Sequence, residues 1–207
     1  MIRRVSALLL AGLLLAACSA GGGKSASTSS GLNDRPAGVY DGFGLTPPQP
    51  RPAFTLTDTS GAPYAFAQAT QGRPTFLYFG YTQCPDVCPT TMADIGIALK
   101  TVPAAIRDKA VVVFVTTDVG HDTGPVISAW LSAFQTGVST SFVGLYGTQA
   151  QVDAAQAAAH VALATDEGKT HSAQVLLYGA DDYARVSYAE SDNESDAMAH
   201  DLPLVAK

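Results

Sequence analysis

Two apolar runs constrain this chain more than any other feature. The first is 74-PTFLYFGY-81 and the second is 110-AVVVFVT-116. Both are apolar at successive positions rather than alternate ones, so each is expected to be a strand buried on both faces, as parallel strands are. Between them, Met92, Ile95 and Leu99 recur at spacings of three and four, the period of a helix over 90–100. Further along, 125-PVISAWLSAF-134 opens with a proline suited to a first helical turn and carries one apolar stripe. A short strand over 142–146 and an Ala-rich helix over 148–160 follow. Residues 53–57 alternate at strand period and end at 58-DTSG-61, which predicts an N-terminal hairpin. The segments 171–179 and 183–188, joined through Asp181 and Asp182, predict a second hairpin. Residues 191–200 predict a last helix that Pro203 stops. The expected architecture is α/β, a mixed central sheet flanked by helices with an N-terminal hairpin extension.

In such sheets, sites gather at the carboxyl ends of the parallel strands. That rule puts three loops on one rim: 80–89, 118–124 and 165–171. The first holds the two thiols of 84-CPDVC-88. Four residues apart on a helix, their α-carbons would be about 6 Å apart, within the roughly 4.4–6.8 Å that a disulfide spans. A helix N-terminus also favours thiolate, the form that attacks disulfides and binds metals. A staple closing so short a loop would constrain little of the unfolded chain. A closed zinc site would need four ligands, whereas two thiolates with one imidazole suit Cu(I). Staple, redox pair and metal site all remain open at this level.

The chain has three cysteines and four histidines. Cys18 belongs to a different feature. Arg3 and Arg4 precede an apolar run over 5–15, and Leu15, Ala16, Ala17 and Cys18 resemble a bacterial lipobox. The expectation is a signal peptide over 1–18, a lipid on Cys18, and export to the outer face of the cytoplasmic membrane. Residues 19–52 are rich in Gly, Ser and Pro and read as a flexible tether, leaving 53–207 as the folded domain. An oxidising compartment would let Cys84 and Cys88 pair. The net charge is −6, with no cluster of basic residues, which argues against a nucleic-acid partner. Of the histidines, His171 heads a strong apolar strand after a polar loop and would reach the rim. His121 lies in a rim loop. His160 ends a helix and His200 lies near the tail, where a histidine needs no ligand role.

YFGYTQCPDVCPTTM closely resembles the signature of the Sco/SenC family, thioredoxin-like copper proteins that help assemble cytochrome c oxidase. Two further segments strengthen the resemblance. 117-TDVGHDTGP-125 is similar to a family loop usually written D-P-x-R-D-T-P, and 171-HSAQVLLYGADD-182 looks like the family's segment of His and Ser or Thr before a strand. The resemblance covers about 52–188. It implies a thioredoxin-like fold, with Cys84, Cys88 and His171 binding one copper ion as Cu(I) or Cu(II). It also implies a role at the binuclear copper centre of oxidase subunit II, as a copper chaperone or as a thiol–disulfide oxidoreductase whose catalytic pair is Cys84 and Cys88. The implied partners are that copper domain, other copper chaperones or thiol reductants, and the membrane through the lipid. The sequence departs from the family pattern at Val119, Gly120 and His121, which replace the usual Pro and Arg. It departs again at Thr170, where an acidic residue is common.

Overall fold

The structure is a computed structural model that describes residues 39–189 and 194–207. The signal peptide, Cys18, most of the tether and residues 191–193 of the last predicted helix lie outside those residues. In chain order the first elements are β1 (Phe43–Pro50), β2 (Thr55–Asp58), β3 (Pro63–Ala65), α1 (Phe66–Thr70), β4 (Thr75–Gly80), α2 (Val87–Thr101) and α3 (Ala104–Arg107). There follow β5 (Val111–Thr116), α4 (Gly124–Ser132), β6 (Ser141–Tyr146), α5 (Gln149–Ala158), β7 (Val175–Tyr178), β8 (Tyr183–Tyr188) and α6 (Glu194–Val205). Among the described residues the strands form one mixed sheet in the order β1-β8-β7-β4-β5-β6-β2-β3.

The two apolar runs are β4 and β5, side by side at the centre and buried at every position. Their parallel register pairs Thr75 with Val111 and Gly80 with Thr116, so both chains leave the sheet at the same rim. β7 runs antiparallel on the other side of β4 and pairs Val175 with Tyr78. It therefore begins where β4 is ending, which brings the residues just before Val175 to that rim.

Alternation splits the core in two. Phe76, Tyr78, Val112 and Phe114 point to the face covered by Met92, Ile95 and Leu99 of α2, Ile127 and Leu131 of α4, and Leu202 of α6. Leu77, Phe79, Val113 and Val115 point to the opposite face, against Phe66, Val152 and Ala155. Each of the large apolar side chains is worth roughly 1.5–3 kcal/mol by burial. α5 is closed at both ends. Thr148 and Gln151 form a capping box, and His160 adopts a left-handed conformation, φ 54°, in a Schellman turn. In that turn His160 N–H donates to the Ala157 carbonyl and Val161 N–H to that of Gln156.

Two expectations are corrected. Residues 43–50, read as tether, form the edge strand β1, antiparallel to β8. Proline cannot donate to a ladder, which hides such a strand in the sequence. An edge position with a register irregularity between Gly44 and Gln49 accommodates it. Arg51 is also fixed, its buried guanidinium bonded to the Asp182 carboxylate, the Thr70 hydroxyl and the carbonyls of Arg73 and Gly179. Nor does Pro203 stop the last helix. α6 continues to Val205, because Leu202 and Val205 are buried and the Val205 carbonyl accepts from Ala180 N–H.

Candidate metal centre

The rim gathers the three loops that the strand order predicts. Thr82, after β4, donates through its backbone N–H (2.9 Å) and its hydroxyl to the buried Asp122 carboxylate, which also accepts from Thr116. Thr117, after β5, donates its hydroxyl to the Gly168 carbonyl at 2.7 Å. Gly168 has φ +87°, and a Cβ there would lie 1.9 Å from the Thr117 carbonyl oxygen, so only glycine fits this crossing. Loop 165–170 is thereby held against the end of β5, three residues ahead of His171.

Cys84 lies in the loop and Cys88 in the first turn of α2. Pro89 is accommodated in that turn because a first-turn N–H has no intrahelical partner to lose. The orphan N–H of Cys88 donates to Cys84 Sγ at 3.3 Å, so one sulfur caps the helix that carries the other. His171 arrives from the segment that leads into β7, with Nε2 3.3 Å from Cys88 Sγ. Its Nδ1 is 3.0 Å from the Ser172 carbonyl and must donate to it, which leaves the Nε2 lone pair facing the sulfur. A backbone carbonyl thus orients the ring. The rings of Tyr78 and Tyr81 meet His171 edge-on, with centroids 6.1 and 5.5 Å away. The Sγ atoms of Cys84 and Cys88 and a ring nitrogen of His171 all lie within 4.8 Å of one another. Two atoms bonded to one metal at about 2.3 Å can be no more than about 4.6 Å apart, so the three need little movement to share an ion.

The two sulfurs are reduced and unequal. Burial pushes the Cys88 thiol up to about 12, against the Tyr78 hydroxyl, which donates to it at 3.3 Å. Cys84 is half-buried; burial raises its pKa too, but hydrogen bonds from the Cys88 and Asp86 N–H groups and from Tyr81 outweigh it and hold the thiol below its ordinary value. Cys84 opens to a cleft lined by Tyr81, Pro85, Val87, Lys169 and His171. Gly80 matters to the buried sulfur, since a Cβ there would stand 2.8 Å from Cys88 Sγ.

His121 is not part of this cluster, the one group of three or more such ligand atoms among the described residues. Its Nδ1 lies 2.9 Å from the buried Asp118 carboxylate. His160 is exposed in its turn, and His200 pairs with Asp201 at 2.8 Å. Sequence reasoning missed Tyr78, Gly80 and Asp122. Strand alternation from Cys88's own core face could have pointed to Tyr78, whereas nothing in the pattern marks Asp122 as the clasp of the first loop.

A family model described as SCO1/SenC matches residues 45–206. Protein SenC of Rhodobacter capsulatus is 34% identical over 122 residues, covering 59% of this chain and 52% of that protein. The chain thus spans about half the length of that relative. The solution structure of apo Sco1 from Thermus thermophilus aligns with a TM-score of 0.67 at 26% identity, covering 80% of this chain and 96% of that one. Bradyrhizobium japonicum ScoI, solved with copper bound, aligns with a TM-score of 0.59 at 27% identity, covering 76% and 99%.

Proposed function

The chain belongs to the SCO1/SenC family and has its thioredoxin-like fold, and from that premise we propose that it is a copper chaperone for cytochrome c oxidase. Cys84, Cys88 and His171 would hold one copper ion for the binuclear copper centre of subunit II. One observation carries the reading: two soft sulfurs and an imidazole nitrogen lie within 4.8 Å of one another at the sheet rim. That donor set suits Cu(I), and the copper-bound ScoI relative supports it. The half-exposed Cys84 and the open cleft beside it give a partner access to the site.

The inequality of the sulfurs favours a second role on the same residues, reduction of the target's cysteine pair before it is metallated. Cys84, accessible and with its thiolate favoured, would attack a target disulfide, forming a mixed disulfide and releasing one target thiolate. Cys88 would then lose its proton and attack Cys84 Sγ, closing the Cys84–Cys88 disulfide and releasing the second target sulfur. Thiol reductants or other copper chaperones would restore the starting state. Export and a lipid on Cys18 would place the domain at the outer face of the cytoplasmic membrane, and fatty-acid labelling of wild type and Cys18→Ser tests that.

The two roles are separated by loading wild type and His171→Ala with copper and following transfer to an apo subunit II copper domain. Copper delivery predicts that His171→Ala loses tight binding and transfer. A dithiol reductase predicts that His171→Ala still reduces the target's disulfide. Unchanged copper binding in Cys84→Ser, Cys88→Ser and His171→Ala would overturn the chaperone reading.

A further inference from the structure

Cys88 is fully buried, and the group that meets its sulfur from the sheet side is the phenol of Tyr78. Tyr78 is itself fully buried, projects from β4 toward α2 by strand alternation, and donates its hydroxyl to Cys88 Sγ at 3.3 Å. The ring also packs edge-on against His171, so a single side chain touches the sulfur and the imidazole. Absence of a Cβ at Gly80 keeps Cys88 Sγ within reach, because a Cβ there would press on both the sulfur and the Tyr78 ring.

We propose that Tyr78 is a positioning residue of the site, whose hydroxyl holds and tunes the Cys88 sulfur. This deepens the copper and thiol reading given above and rests on it. Its physical basis is geometric: the phenol holds the reduced Cys88 Sγ where it stands, and closing a bond of about 2.05 Å to Cys84 would draw that sulfur away from the hydroxyl. The phenol therefore stabilises the dithiol over the disulfide, and it withdraws electron density from the sulfur whenever that sulfur binds a metal.

The test uses the metal-free protein equilibrated with glutathione. One glutathione disulfide takes two electrons from the Cys84 and Cys88 thiols, giving the protein disulfide and two glutathione thiols that carry the two protons. Tyr78→Phe keeps the ring and removes only the hydroxyl. Its equilibrium should shift roughly tenfold toward the protein disulfide, equivalent to about 30 mV. Tyr178→Phe is the control. It removes another buried hydroxyl, one with no hydrogen-bond partner, and should leave the equilibrium at the wild-type value. With Cu(II) added, the sulfur-to-copper absorption of Tyr78→Phe should move to longer wavelength.

An equilibrium within twofold of wild type in folded Tyr78→Phe overturns the proposal. Should that variant not fold, fluorotyrosine at position 78 preserves shape and strengthens the donor. A shift toward the dithiol then supports the proposal, and no shift overturns it. Because the glutathione measurement needs no metal, a wild type that binds no copper would sink the chaperone reading while leaving this one intact.

Discussion

At the scale of single residues, the site depends on side chains that are absent as much as on those present. Gly80 lies where a Cβ would meet Cys88 Sγ at 2.8 Å, Tyr78 at 3.0 Å and Phe114 at 3.3 Å, all of them buried. Gly80→Ala should destabilise the domain by about 1–3 kcal/mol through overpacking. It should also weaken copper binding at least tenfold, because the atom displaced is a proposed ligand; urea unfolding and a copper competition assay measure the two effects. The sulfurs themselves should separate by pH. Burial holds the Cys88 proton up to about 12, while the N–H groups and Tyr81 leave Cys84 below the ordinary thiol value. Of this pair, alkylation followed by mass spectrometry should therefore label Cys84 at neutral pH and reach Cys88 only in strong alkali. The folded pKa of Cys88 is raised, so its contribution to stability is present below the ordinary thiol value and is lost as pH climbs from there toward about 12. At this scale the sequence was informative about the cysteines, whose number and spacing are visible in the string. It said less about His171, because only β7 running antiparallel beside β4 delivers that ring, and Tyr78 read simply as another apolar strand position.

Elements were legible where hydrophobic period dominates and illegible where tertiary contacts override local chemistry. β4, β5 and α2 follow directly from their apolar patterns. β1 does not, because 46-TPPQP-50 has too few amide donors and apolar side chains to look like a strand. Contacts far along the chain hold it and the residues beside it. The backbone N–H groups of Asp41 and Gly42 donate to the buried Asp201 carboxylate at 2.8 Å each, and Arg51 spends its guanidinium on four acceptors. A chain beginning at Pro52 would take two backbone donors from that carboxylate, leaving it Tyr188 and His200, and would remove Arg51 and expose the edge of β8. It should lose about 3 kcal/mol or more against the full chain in urea unfolding. Equal stability would restore the view of this segment as tether. The same override explains α6, where two buried apolar residues beyond the expected break keep the helix going past Pro203.

For the molecule as a whole, the described domain joins two segments that lie 83 residues apart in sequence, Cys88 and His171, at one corner of the sheet. The parallel register of β4 and β5 aligns the loops that leave the sheet, and β7 enters beside β4 from the opposite direction. Fold and site are thus one statement: the order of three central strands fixes which thiols and which imidazole meet. The central claim is that this meeting is a three-ligand copper site. The most direct measurement is X-ray absorption fine structure on Cu(I)-loaded protein, wild type beside His171→Ala. The predicted wild-type shell is two sulfurs and one nitrogen, with the nitrogen lost and the copper bound more weakly in His171→Ala. Identical shells in the two proteins, or a wild-type shell without nitrogen, would contradict it.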